Sequence, residues 1–158
     1  MMKNLTVTTI ILTVLISSFQ CKNAEKESQI ILQDPWISEA MPGSDITSGY
    51  MKIINQSGAD DVLESVTSES VGVVEVHQMI HENNVMRMEK INRLPIPDGK
   101  ETALSPGGYH LMLIGLKKIF KEGDSEKLVL KFKVSGAKEV VMPVKKMDAQ
   151  TQNNMHKH

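Results

Sequence analysis

The 158-residue chain has a single cysteine, Cys21, so no disulfide can form within it. That scarcity also disfavours an electron-transfer metal centre built on a Cys thiolate, because the lone cysteine stands near the N-terminus, just after an apolar run. Cationic residues are not in surplus either. Lys and Arg number 18 against 19 Asp and Glu, and no basic patch invites nucleic acid. A long apolar run is missing too: the largely apolar, uncharged stretch from Leu5 to Phe19 is short for a membrane span and fits the core of a secretory signal. Neither an internal repeat nor a long amphipathic helix can be traced.

What is present divides the chain into four. Residues 1–20, with Lys3 as their one cation, read as a signal peptide. Cys21 follows at once, which suggests a lipoprotein leader in which it becomes the acylated first residue. The preceding Ser18-Phe19-Gln20 departs from the usual cleavage box, lacking a small residue just before the cysteine and a Leu three before it. An ordinary exported protein and an uncleaved anchor are the alternatives. Residues 21–28 are polar and charged, a tether. Loss of the leader removes one lysine and no acid, taking the formal charge from −1 to −2. Residues 29–146 suffice for one domain and not two. Residues 147–158 form a polar tail.

The domain reads as all-β. Runs rich in Val, Ile, Leu and Met cover Gln29 to Ala40, Gly49 to Asn55, Val62 to Thr67, Val71 to Ile80, Val85 to Ile91, Tyr109 to Leu116, Lys127 to Val134 and Glu139 to Lys145. Turn signals such as Pro42-Gly43, Ser57-Gly58, Pro95 to Gly99 and Pro106-Gly107-Gly108 separate them. Lys127 to Val134 alternates, with Leu128, Leu130 and Phe132 on one face. This spacing suits a β-sandwich or Greek-key barrel.

Across three of these segments runs a spaced set of soft donors, His77, Met88, His110 and Met112, in the pattern H-x10-M-x21-H-x-M. Imidazole and thioether are neutral and fairly soft, and together they suit Cu(I) better than the oxygen-seeking Mg, Ca or Mn. On an extended strand His110 and Met112 share a face, roughly 6.5–7 Å apart. His77 and Met88 belong to an expected hairpin around His81-Glu82-Asn83-Asn84. A loop at Glu82-Asn83 would set His77 opposite Met88, whereas a loop at Asn83-Asn84 would set Met79 opposite Met88 and leave His77 diagonal to it. Either register keeps the donors within reach of one another. Met79 and His81 share strand parity with His77, and Met86 with Met88, so all three can lie near the ion, as donors or equally as supporting or surface groups; Met79 and Met86 are further candidate donors. Met147, Met155, His156 and His158 in the tail suggest a looser second site, for Cu(II) as well as Cu(I); a plain mobile chain end is the alternative. Trp36 reads as core or rim packing.

This spacing, with Leu104 to Leu113 (LSPGGYHLML) and Val76-His77-Gln78-Met79, resembles the periplasmic copper chaperone family PCu(A)C. The resemblance runs from about Ile30 to Lys146, helped by Asp34-Pro35-Trp36-Ile37, Ser48 to Asn55, Asp60-Asp61-Val62-Leu63 and Glu122-Gly123-Asp124. It implies a cupredoxin-like fold and a Cu(I) site at His77, Met88, His110 and Met112. It further implies delivery of copper to the CuA centre of cytochrome c oxidase, alongside a Sco-type thiol protein.

The expected function is therefore an extracytoplasmic Cu(I) chaperone, not an enzyme, acting as a monomer that touches a bacterial membrane only through a lipid anchor. Sites without thiolate hold Cu(I) through weaker neutral donors, so the ion can pass to a partner by ligand exchange. Both rings must be neutral to bind, so affinity should fall as pH drops through about 6.5, the ordinary His value. A passive copper buffer would use the same ligands. A zinc hydrolase would want His and carboxylate ligands with an activated water, which two thioethers disfavour. A sandwich that binds some partner without metal is the remaining reading.

Overall fold

A computed structural model describes residues 29–82 and 85–147 of the chain. Within them every regular element is a strand: β1 (Ile30–Ser38), β2 (Ile46–Asn55), β3 (Asp61–Thr67), β4 (Val71–Glu82), β5 (Val85–Ile91), β6 (Leu94–Ile96), β7 (Glu101–Leu104), β8 (Tyr109–Leu116), β9 (Ser125–Phe132) and β10 (Gly136–Lys145). The strands hydrogen-bond in the order β5-β4-β8-β7-β2-β1-β10-β9-β3-β6, and a further pairing of Val66 on β3 with Val74 on β4 closes the ring into a barrel. The hairpin strand β5 and the short β6 lie outside the closure. Most neighbours run antiparallel, while β1 pairs β10, and β7 pairs β8, in parallel.

Alternation along the strands builds the core. On β9, Glu126, Leu128, Leu130 and Phe132 point inward, and Lys127 and Lys131 stay in water. On β8, Leu111 and Leu113 are fully buried inside the barrel, each worth about 1.5–3 kcal/mol of apolar burial. The period-2 rule then turns their neighbours His110 and Met112 to the outer face. A buried Asn55 at the end of β2 is fully satisfied: its amide nitrogen donates to Ala59 O at 2.9 Å and Ile96 O at 2.8 Å, and its oxygen accepts from Ser57 N at 2.9 Å. It fastens β2 to β6 and to the turn between β2 and β3.

Eight of the ten strands fall where the apolar runs place them. Of the two others, β6 runs into the stretch from Pro95 to Gly99 that reads as turn, and the four-residue β7 falls between that stretch and Pro106-Gly107-Gly108, where the sequence shows no apolar run. Pro95 is tolerated because β6 pairs only with β3, leaving its other side without a ladder. Leu94 and Ile96 on either side of Pro95 are fully buried. Trp36 is half-buried and stacks on Tyr50, ring centroids 4.5 Å apart, which agrees with a packing role. Cys21, the leader, the tether, and Met155, His156 and His158 lie outside the described residues.

Candidate metal centre

The donors gather on the outer face of three neighbouring strands, β5-β4-β8. Pairing sets His77 on β4 directly opposite His110 on β8, and Glu75 opposite Met112. On the other side of β4, Met79 faces Met88, His77 faces Lys90, and His81 faces Met86. The hairpin therefore takes the Asn83-Asn84 register, and Met88 stands diagonal to His77, not opposite it. All four spaced donors share one face, with Met112 and Met88 at opposite diagonals of the imidazole pair. Met79 lies on that face too, next along β4 from His77. Met147 lies elsewhere, lining a cavity with Ala40, Met41 and Ile119.

The two rings are 6.0 Å apart between centroids and tilted by 51°. Each is held by one nitrogen, leaving the other for a ligand. Nδ1 of His110 lies 3.1 Å from the Gly108 carbonyl. A carbonyl can only accept, so Nδ1 carries the proton and Nε2 the lone pair. His77 is oriented the other way round. Its Nε2 donates to the Glu75 carboxylate at 2.8 Å, while its Nδ1 is buried with no hydrogen-bond partner. A buried nitrogen lone pair without a partner costs free energy that a bound cation would recover.

Local sequence explains how each ring is held. Ser105-Pro106-Gly107-Gly108 forms a turn in which Gly108 N donates to Ser105 O at 3.0 Å and Gly107 takes φ of 82°. Pro at the second position and Gly at the third are what a type II turn requires. The turn presents the Gly108 carbonyl both to the His110 ring and to the Met79 amide, 3.2 Å away. Glu75, two residues before His77, reaches that ring along the same strand face. Lys90 binds the other oxygen of Glu75 at 2.5 Å. Lys90, then His77, holds the Glu75 carboxyl below the usual carboxylate range, so it stays ionised as a hydrogen-bond acceptor. Burial pushes His110 below the ordinary His value; the bond to Gly108 works against this and the nearby His77 adds to it. His110 is thus disposed to be neutral, as a ligand must be.

Glu75 and Lys90 do not stand out in the linear sequence. The spacing of Glu75 from His77 on a strand was a usable signal, whereas Lys90 comes from the neighbouring strand, opposite His77 in the register adopted. Among the described residues no group of three or more His, Cys, Asp or Glu is placed to hold a metal. Two imidazoles with thioethers on the same face form a soft donor set, suited to a monovalent soft ion and poorly suited to Zn.

The fold is that of the PCuAC domain, a cupredoxin-like barrel. The apo PCuAC domain from PmoF1 superposes with a TM-score of 0.64 at 21% identity, over 75% of this chain and 94% of that one. The copper-bound PCuAC domain from PmoF2 gives 0.63 at 21%, over 75% and 93%. The solution structure of CuI-DR1885 from Deinococcus radiodurans gives 0.63 at 24%, over 80% and 85%. Residues 30–144 match the family model described as "Putative lipoprotein LpqE-like", and the chain belongs to that family. A protein of Leifsonia xyli subsp. xyli that carries a lipoprotein name is 27% identical over 119 residues, 75% of this chain and 70% of its own length.

Proposed function

We propose that the chain is a Cu(I) carrier in which His77, through Nδ1, and His110, through Nε2, bind the ion together with the thioethers of Met88 and Met112. The observation that carries this reading is the partnerless buried Nδ1 of His77, on a residue paired across the strands with His110, whose ring centroid lies 6.0 Å away. Met88 is 46% exposed. A ligand already in water can be exchanged for one supplied by an acceptor, so the ion can leave stepwise. Copper is cargo here, and no catalytic role is assigned to the chain. Support from outside the chain comes from relatives of the same fold that are copper-bound.

The acceptor is the CuA centre of cytochrome c oxidase, reached with or without a Sco-type thiol protein, and the carrier works outside the cytoplasm on a lipid anchor at Cys21. The lipoprotein character of the family supports the anchor. Transfer kinetics test the function: a Cu(I)-loaded chaperone should load an apo CuA domain faster than Cu(I) buffered at equal activity by a small chelator. A passive buffer would slow that loading. Absence of competition for Cu(I) against a colorimetric chelator would refute both readings.

A further inference from the structure

Beyond the imidazole pair, the adopted hairpin register stacks two consecutive cross-strand pairs of soft donors, Met79 with Met88 and His81 with Met86, out toward the hairpin end. We propose that Met79, His81 and Met86 form a second soft-metal site on this hairpin, sharing Met88 with the site at His77 and His110. The proposal depends on the reading given above only for the role of that shared ligand.

Three observations support it. Directly opposed side chains in an antiparallel pair have Cβ atoms roughly 4.5–5.5 Å apart, so each pair can converge on one ion. Met86 and Met88 are not core filler, being 41% and 46% exposed, and Met79 is partly exposed. Exposed thioethers pack against little, so interior gap-filling does not account for them. The two faces of the hairpin are also chemically segregated. Strand parity puts Glu82, Arg87 and Glu89 on the opposite face, where Arg87 pairs with Glu82 at 3.0 Å and with Glu89 at 3.6 Å. The Met and His face is left without a carboxylate at its outer end, and among the described residues no hydrogen bond or ion pair engages His81. Neutral imidazole with several thioethers is a donor set for Cu(I) or Ag(I).

The arrangement makes Met88 a hinge between a half-buried site and an exposed one. An ion arriving at the hairpin end can exchange ligands one at a time toward His77, and leave by the same route without meeting bulk water bare.

Ag(I) serves as a redox-inert probe, read by methyl NMR of labelled methionines together with the imidazole signals, in the protein and in the double variant His81→Ala, Met86→Ala. Ag(I) beyond the amount that saturates His77 and His110 should shift the Met79 and Met86 methyls and the His81 ring. In the double variant the Met79 response to this added metal should be lost, the bound metal should fall by about one ion, and the His77 and His110 response should be intact. The proposal is overturned if Met86 and His81 stay unmoved in excess Ag(I), or if only Met147 and Met155 respond, which would put additional metal on the tail. A variant His77→Ala, His110→Ala separates the two readings: retained shifts at His81 and Met86 there keep the hairpin site alive even if the imidazole pair is not a ligand.

Discussion

Glu75 grips the Nε2 of His77 at 2.8 Å and leaves the Nδ1 of the same ring buried and without a partner. A carboxylate on the far nitrogen of a ligating imidazole fixes its tautomer and raises its basicity. Glu75→Ala should therefore weaken Cu(I) binding by about 10–100-fold with little change in thermal stability. Competition against a Cu(I) chelator measures it. Glu75→Gln, which still offers an oxygen to Nε2–H, should recover part of the loss.

Gly107 occupies a backbone conformation that residues with a Cβ rarely adopt. Gly107→Ala should cost about 1–2 kcal/mol in chemical denaturation. Because that turn carries the carbonyl that holds the His110 ring, Cu(I) affinity should fall as well. Gly99→Ala, at another positive φ remote from the site, should show the stability loss without the affinity loss.

Removal of the Asn55 side-chain amide would leave the Ile96 carbonyl without that donor inside the protein. Asn55→Ala should destabilise by about 1–3 kcal/mol, read as a lower denaturation midpoint.

Asp61 is buried at the start of β3 and accepts from Val62 N at 2.7 Å, Val134 N at 2.9 Å and Ser135 N at 2.9 Å. Burial alone would raise its pKa, and the hydrogen bonds around it outweigh that, holding it below the ordinary range. In the window between the folded value and the unfolded value of about 3.9, the unfolded state binds more protons, so stability falls as pH falls. The contribution should be complete at neutral pH and lost below about pH 4. Unfolding of Asp61→Asn should show a shallower acid slope than the parent.

Copper affinity should track pH differently. A proton competes with the metal for each ring, and burial lowers the pKa of His110. Its share of the affinity should therefore persist through the ordinary His range near ~6.5 and decline only in more acid solution. Competition titrations from neutral to mildly acid pH check this, and a loss of the His110 share already above that range would contradict it.

The face on which the donors meet could be read from the chain because strand parity is local: Leu111 and Leu113 must point inward, so His110 and Met112 point out. The hairpin register could not. Shifting the loop from Glu82-Asn83 to Asn83-Asn84 changes every partner on β5 yet keeps each residue on the same face. From Val85 to Lys90, β5 is exposed throughout, so no buried stripe selects between the registers. Pro95 hid β6 for a related reason, since only the position of a strand in the sheet decides whether a missing N–H matters, and the four residues of β7 are too few for a pattern to show. Parallel pairing of β1 with β10 joins opposite ends of the domain and leaves no local trace.

The central claim is that one soft ion is held between Nδ1 of His77 and Nε2 of His110. Imidazole nitrogen NMR of the protein titrated with Cu(I) under anaerobic, reducing conditions tests it most directly. The first equivalent should shift His77 Nδ1 and His110 Nε2, with Nε2 of His77 and Nδ1 of His110 still protonated. Uptake of the metal with both rings unchanged, or attachment through the opposite nitrogens, would contradict the account.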